Sequence, residues 1–179
     1  MYHGHTRSLM LGATATIFFA PAAAGQWIQN PDNGHWYRQL EGPISWYDAR
    51  SIAEDQGAHL VTITSQAEQD FVLSNFGSVT NWIGLLQDPD SSGTDDWEWV
   101  TGESVDFVAW DGQLDSGGED RAVMRALGGG WEDKVGTRTS GLDGTPWHAV
   151  IESNVPAPGS TLVMATGCLA IGRRRRAGA

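Results

Sequence analysis

The sequence predicts an α+β domain in which two capped helices precede a series of short strands. Two Ser-x-x-acid patterns, at Ser45 and Ser65, each open an apolar repeat with helical spacing. After residue 81 the pattern changes to short apolar segments between loops rich in Gly, Asp and Ser. All nine tryptophans fall within residues 25–154, which indicates one aromatic core in that part of the chain.

The first half of this region predicts strand, helix, strand and helix. His35–Leu40 alternates as an opening strand, and a helix follows from Ser45 to Gly57. Its buried face is predicted to carry Trp46, Ala49, Ile52 and Ala53. His59–Ile63 is a short strand. A second helix begins at Ser65 and is predicted to bury Phe71, Val72 and Phe76.

The second half predicts only strands and loops. The four apolar segments are Trp82–Leu86, Trp97–Val100, Ala122–Leu127 and Trp147–Ile151. Because no Ser-rich or Pro-rich linker interrupts residues 25–154, we expect them to form a single domain.

Residues 1–24 predict an export signal. A weakly basic start precedes the apolar stretch Leu9–Ala20, and Ala22-Ala23-Ala24 forms a small-residue cleavage site. A helix needs about 20 apolar residues to span a bilayer, and this apolar stretch is shorter than that. Cleavage after Ala24 is therefore favoured over the alternative, a retained N-terminal anchor.

Residues 155–179 predict a sorting or anchor tail. A proline motif, an apolar segment at 161–172 and four consecutive arginines follow one another. This order resembles the bacterial C-terminal sorting signals of the PEP-CTERM type, although Ala157 stands where a glutamate is usual. The resemblance implies membrane insertion through 161–172 and processing by an exosortase-like enzyme; a plain membrane anchor is the alternative. Both place the domain in the cell envelope, on the surface or in the matrix of a bacterium.

The domain is strongly acidic and has no disulfide. Its 22 acidic and six basic side chains give a net charge of −16. Nucleic acid is an unsuitable partner for this surface, because neutralising phosphates requires Lys and Arg. The single cysteine, Cys168, lies in the tail. Cations and neutral polar ligands fit this composition better.

Several segments together resemble C-type lectin-like domains. They are "HWYRQL", "SWYDARSIAEDQGAHLVTITSQAEQDFV", "NWIGL", "WEWVTGE", "VAWDGQLDSGGED", "GGGWED" and "HAVIE", and they cover His35 to Glu152. The resemblance implies two helices, small antiparallel sheets and a long calcium-type loop. It also implies that a calcium ion in this loop ligates a sugar directly.

The resemblance assigns five metal-facing positions with side-chain oxygen, the donor that calcium prefers. They are Gln113, Asp115, Glu119, Glu132 and Asp133, and the first four are also expected to contact a sugar. Asp88, Asp90, Asp95 and Asp96 form a possible second metal loop; a solvated acidic loop is the alternative.

The loop departs from the family pattern in ways that affect the sugar. Leu114 replaces a proline whose peptide bond is cis in the family, and a cis bond before leucine costs about 3–4 kcal/mol. Glu132 replaces an asparagine, and a carboxylate only accepts hydrogen bonds. The extra carboxylates would repel each other unless a cation is bound. The extra carboxylates therefore favour binding of the metal over binding of the sugar.

The resemblance also implies that the family's two disulfides are lost. The cysteines would stand near Ala53 with Ile151, and near Arg121 with Gly136. Since losing a disulfide typically costs about 2–5 kcal/mol, we expect core packing to compensate.

The predicted function is a calcium-dependent carbohydrate-binding module. The alternative keeps the fold and binds protein or matrix instead of sugar. An enzyme is disfavoured because residues 25–154 contain no G-x-S-x-G, no H-E-x-x-H and no cysteine. The carboxylate pairs Glu119/Asp120 and Glu132/Asp133 are the only features that suggest glycoside hydrolysis.

Overall fold

A computed structural model describes residues 25–88, 90–91, 96–112, 114 and 118–155. The predicted export signal and nearly all of the predicted tail, including the apolar segment at 161–172, lie outside these residues. Within the described ranges, no helix is long and apolar enough to cross a membrane.

Both helices begin where the sequence predicts. Helix α1 is Trp46–Asp55, and the Ser45 side chain accepts a hydrogen bond from the Asp48 N–H. Helix α2 is Gln66–Phe76, and Ser65 caps it through the Glu68 N–H in the same way. Each cap satisfies one of the backbone N–H groups that have no partner within the helix.

Eight short strands are present in the described residues. They are β1 (Ile28–Gln29), β2 (Trp36–Leu40), β3 (His59–Leu60), β4 (Asn81–Gln87), β5 (Trp97–Trp99), β6 (Arg121–Met124), β7 (Trp131–Lys134) and β8 (His148–Ser153). The α+β class is confirmed.

The strands join into one sheet rather than separate antiparallel sheets. Their order is β1-β2-β8-β4-β6-β7, with β3 paired to β8 and β5 paired to β4. The connection between the two halves is the parallel pair β4–β8, and every other strand pair is antiparallel. Gly84 in β4 permits a close approach, because a Cβ there would lie 2.7 Å from the Leu60 carbonyl oxygen.

Tryptophan side chains fill much of the core. Trp46, Trp82, Trp99 and Trp131 are almost completely buried. Trp99 and Trp131 meet edge to face in one cluster, and Trp82 meets Trp147 in the same way in the other. The clusters also take in Ala49, Ala53, Val72 and Phe76, the predicted buried faces of the helices.

Several details of the sequence prediction are wrong, among them the strand predicted at His59–Ile63, which ends at Leu60. Ile52 is exposed, because it lies at the edge of the apolar face of α1. The predicted strand at Ala122–Leu127 ends at Met124, where a turn returns the chain to β7. Strand β7 itself was not predicted, because its sequence "WEDK" has neither β-branched residues nor strict alternation of apolar side chains.

The positions of the missing disulfides are filled in two different ways. Ala53 and Ile151 are both fully buried in one apolar cluster. A Cβ on Gly136 would lie 2.8 Å from Cγ of Arg121, so these two residues are close neighbours. The Arg121 guanidinium lies over the rings of Trp46 and Tyr47. Apolar packing therefore occupies one of the bridge positions that the resemblance implies, and a stacked arginine occupies the other.

Candidate functional site

The candidate site is built on the hairpin of β6 and β7. These strands pair antiparallel, with Arg121 opposite Lys134 and Val123 opposite Glu132. Glu119 lies two residues before β6, at the end of the loop predicted to bind calcium. The hairpin thus brings Glu119 next to β7, although 13 positions separate Glu119 from Glu132.

A lysine side chain lies between the two glutamates. The Lys134 ammonium is 3.5 Å from an oxygen of Glu119 and 3.4 Å from an oxygen of Glu132. It also donates to the backbone carbonyl of Asp133 at 2.7 Å. The side chains of Glu119 and Lys134 are 18% and 20% exposed, so the ion pair is only partly solvated.

A second cation neutralises the outer side of Glu132. Arg125 Nη1 lies 3.1 Å from the other carboxylate oxygen of Glu132 and 3.0 Å from Asp111. Arg125 is half exposed, and an exposed ion pair contributes at most about 1 kcal/mol. Its main effect is to position Glu132 with one oxygen on each cation.

Asp133 does not share the face of Glu132. Neighbouring residues on a strand point to opposite sides of the sheet. Trp131 and Asp133 are buried, and Glu132 and Lys134 are half-buried. Of the three predicted metal ligands that the structure describes, Glu119 and Glu132 converge, and Asp133 contributes its backbone oxygen to the same ammonium.

Gln113 and Asp115 lie outside the described residues. Leu114, between them, is half-buried and packs against the cluster that contains Trp97 and Trp99. The loop is therefore anchored to the core at the position where the family carries proline.

A pocket of about 510 Å³ opens beside Lys134. Its lining residues are Glu119, Glu132, Lys134, Arg138, Gly141, Leu142, Asp143 and Trp147. Carboxylates accept hydrogen bonds and the ammonium donates them. The pocket therefore offers both kinds of partner to a polar ligand, including the donor that Glu132 alone does not supply.

Hydrogen bonds of Trp131, the first residue of β7, help to fix the position of the site. Trp131 Nε1 donates to the Gln69 side chain at 3.0 Å, and Gln69 in turn donates to the Gly129 carbonyl at 2.7 Å. Both side chains are buried. This chain of hydrogen bonds joins α2 to the start of β7 and positions the strand that carries Glu132 and Lys134.

The described part of the second acidic loop is held by its own hydrogen bonds. An oxygen of Asp88 accepts from the Asp90 N–H at 2.9 Å, and an oxygen of Asp96 accepts from the Ser91 hydroxyl at 2.7 Å. Asp95 lies outside the described residues. The side chains of Asp88 and Asp96 thus stabilise the turns of this loop.

A buried cluster that the sequence did not predict lies near the C-terminal end of β8, at Glu152. The cluster consists of His35, Glu68 and Glu152, whose potential ligand atoms lie within 4.8 Å of one another. Among the described residues, these three side chains are of the types that could hold a metal ion. Their oxygens already accept hydrogen bonds, since Tyr37 donates to Glu68 at 2.5 Å and the Thr62 N–H donates to Glu152 at 3.0 Å.

Burial dominates the electrostatics of this cluster. It raises the pKa of Glu152, against the Thr62 hydrogen bond and the nearby His59, which lower it. Burial and the charge of Glu152 likewise raise the pKa of the Tyr37 hydroxyl. His35 Nδ1 lies 2.6 Å from a carboxylate oxygen of Glu152. Of these two side chains, His35 is the one closer to solvent. Residues 35, 68 and 152 are so far apart in sequence that no spacing signal connects them.

The fold and the hairpin site define a C-type lectin domain. Residues 42–140 match the family described as "Lectin C-type domain", and the chain belongs to this family. Human C-type lectin domain family 10 member A is 33% identical over 139 residues, which are 72% of this chain and 39% of that protein. The chain thus spans well under half of that relative.

Solved structures share the same fold. The carbohydrate-recognition domain of cow CD23, determined with a GlcNAc2Man3 oligosaccharide, has a TM-score of 0.61 at 24% identity. The match covers 76% of this chain and 99% of that domain. A calcium-dependent type II antifreeze protein in its calcium-free form has a TM-score of 0.60 at 24% identity, covering 71% of this chain and 96% of the other. Proteins of this fold therefore have more than one function.

Proposed function

We propose that the protein is an exported, surface-associated carbohydrate-binding module whose binding depends on calcium. The observation that carries the proposal is the pocket of about 510 Å³ beside Glu119, Glu132 and Lys134. It lies at the loop and hairpin that the family resemblance assigns to the ligand. Membership in the C-type lectin family supports a glycan as that ligand.

The proposed chemistry is recognition of neighbouring sugar hydroxyls. Calcium supplies two coordination positions to the hydroxyl oxygens when it is bound. In donor type, Glu119, Glu132 and Asp133 suit this hard cation, and Gln113 and Asp115 complete the proposed ligand set. Carboxylates not used by the ion accept hydrogen bonds from the sugar and fix its orientation.

Binding rather than catalysis fits the described carboxylates. Glu119 and Glu132 are both ion-paired to Lys134, and Glu132 also to Arg125. Glycoside hydrolysis needs two carboxyl groups that flank the glycosidic bond, whereas both of these carboxylates are already engaged by cations of the protein. We therefore propose no reaction at this site.

The proposed location is the envelope, surface or matrix of a bacterium. It rests on the predicted export signal at 1–24 and the predicted tail at 155–179, with an exosortase-like enzyme as the processing partner. Glycans or polysaccharides of these compartments are the proposed ligands.

A second candidate function is a protein-interaction or matrix module of the same fold. The observation that favours it is Leu142, which lines the pocket and is 94% exposed. A protein partner could bury this leucine and remove its apolar side chain from water. The similarity to an antifreeze protein is in keeping with a fold that serves non-sugar functions.

A glycan array with and without calcium tests the proposal. The protein should retain a set of glycans in millimolar calcium and release them in EDTA, and Glu119→Gln should retain none. Glu54→Gln, which removes an exposed carboxylate on α1, is the control and should bind as wild type does. Calcium at 100 times its dissociation constant should also add about 2.7 kcal/mol to the free energy of unfolding.

The outcomes separate the two candidates. Glycan retention that is equal in calcium and EDTA would remove calcium from the proposal and keep the sugar. No retention of any glycan, with unchanged folding, would favour the protein-interaction module.

A further inference from the structure

Lys134 is the only lysine of the chain, and it lies at the centre of the candidate site. Its ammonium contacts Glu119 at 3.5 Å, Glu132 at 3.4 Å and the Asp133 carbonyl at 2.7 Å. An ammonium has three N–H donors and no acceptor. Hydrogen bonds to Glu119 and to the Asp133 carbonyl, together with the ion pair to Glu132, hold the ammonium in place.

These three oxygens come from the residues assigned to the cation. Glu119, Glu132 and Asp133 are proposed ligands of calcium, and the ammonium already contacts a carboxylate oxygen of each glutamate and the backbone oxygen of Asp133. Two positive groups this close repel each other strongly in a partly buried site. The ion and the ammonium therefore cannot occupy this position together.

Arg125 does not share this role. It contacts the opposite oxygen of Glu132 and reaches Asp111, and its side chain is half exposed. Among the described residues, Glu119 is ion-paired to Lys134 alone. Lys134 is thus the cation that links the two glutamates.

We propose that Lys134 is a built-in counter-ion that competes with calcium for Glu119 and Glu132. This inference rests on the calcium part of the proposed function. In the absence of metal, the ammonium offsets the repulsion between the carboxylates of Glu119 and Glu132. Calcium binding requires the lysine side chain to move out of the site, so the affinity for calcium is lower than that of the same oxygens without the lysine.

Calcium titration of the full chain tests the competition. Lys134→Met keeps most of the aliphatic stem and removes the charge, and should bind calcium about tenfold more tightly than wild type. Lys134→Gln serves as a second variant in case Met impairs folding. Arg50→Met removes one positive charge from an exposed position on α1 and should leave the affinity unchanged.

A direct readout of the lysine completes the test. Reductive methylation with 13C-formaldehyde labels Lys134 and the chain's N-terminal amine, whose signals are distinct by NMR. The Lys134 methyl signal should shift as calcium is added and saturate together with the binding isotherm. The N-terminal signal should not follow it.

Each outcome decides the inference. Tighter binding by the Lys134 variants, or binding by them alone, supports it. Equal affinity of wild type and variants, or a Lys134 signal that stays fixed while calcium saturates, overturns it and leaves the proposed function standing. Absence of calcium binding in all proteins overturns both the inference and the calcium part of the proposed function.

Discussion

The guanidinium of Arg121 lies over the indole of Trp46, 4.6 Å from the ring centroid. The same group donates to the carbonyls of Gln87 and Asp120 and forms an ion pair with Asp120 at 3.0 Å. Arg121 is the first residue of β6 and is buried. It therefore joins α1, β4 and the loop before the site, near the position where the family resemblance implies a cysteine.

Replacing Arg121 with methionine should destabilise the protein by about 2–3 kcal/mol, because a cation–π contact and hydrogen bonds from a charged donor are both lost. Urea unfolding measures the change. Arg50→Met is the matched control, since Arg50 also lies over Trp46, at 5.5 Å, but is exposed and should cost only about 0.5 kcal/mol. Equal effects of the two substitutions would contradict a structural role for Arg121.

The hydrogen bond between Trp131 and Gln69 can be measured against a neighbouring tryptophan that lacks one. Trp99 is buried and contacts Trp131 edge to face, and its Nε1 has no hydrogen-bond partner among the described residues. Both Trp→Phe substitutions lose ring volume, but only Trp131→Phe leaves the Gln69 oxygen without its donor. Trp131→Phe should therefore cost about 1–2 kcal/mol more than Trp99→Phe.

Chemical denaturation of the two variants measures this difference. Gln69→Leu gives a further test, because Trp131→Phe should cost less in that background if the hydrogen bond is the cause. Equal losses for the two tryptophans would show that ring packing alone holds β7.

The helices and their caps could be predicted because their signals are local. Ser45 with Asp48, and Ser65 with Glu68, lie three residues apart and fix each start within one turn. The boundaries of β6 and the existence of β7 depend instead on pairing between residues such as Met124 and Trp131. That pairing is a tertiary contact, which local sequence does not encode.

The candidate site was predicted in part. The resemblance identifies Glu119 and Glu132, and the structure brings them together around Lys134. The lysine was missed because its role depends on the strand, where alternate residues share a face. Had "WEDK" been recognised as a strand, the placement of Glu132 and Lys134 on one side would have followed.

Glu152 should make stability depend on pH in the direction opposite to most carboxylates. Burial raises its pKa above the ordinary value of 4.5 in the folded protein. The folded state therefore binds a proton more readily than the unfolded state between 4.5 and the raised value. The contribution of Glu152 to stability is fully present below pH 4.5 and is lost as the pH rises through the raised pKa.

Glu152→Gln should remove this contribution. The unfolding free energy of wild type should increase relative to that of the variant as the pH is lowered from 8 toward the ordinary pKa of 4.5. Urea titrations at several pH values measure the difference. The groups facing Glu152 are His35, His59, Glu68 and Tyr37, and all are unchanged in the variant. A difference that stays constant across this range would contradict the prediction.

Restoring the buried family bridge tests whether Ala53 and Ile151 occupy the positions of its cysteines. Both residues are fully buried in one cluster, where α1 packs beside β8. The double variant Ala53→Cys/Ile151→Cys, made in a Cys168→Ser background, should form a disulfide on oxidation. Because this bridge closes a loop of roughly 100 residues, the oxidised form should exceed the reduced form in stability by up to about 4–5 kcal/mol.

Comparing the oxidised and reduced forms of one protein cancels the cost of truncating Ile151. Urea unfolding with and without a thiol reductant measures the difference, and mass spectrometry confirms the bond. A gain of the expected size would show that apolar packing replaced the disulfide without moving α1 relative to β8. Failure to form the bond, in a variant that still folds, would show that Ala53 and Ile151 do not occupy the bridge positions that the resemblance implies.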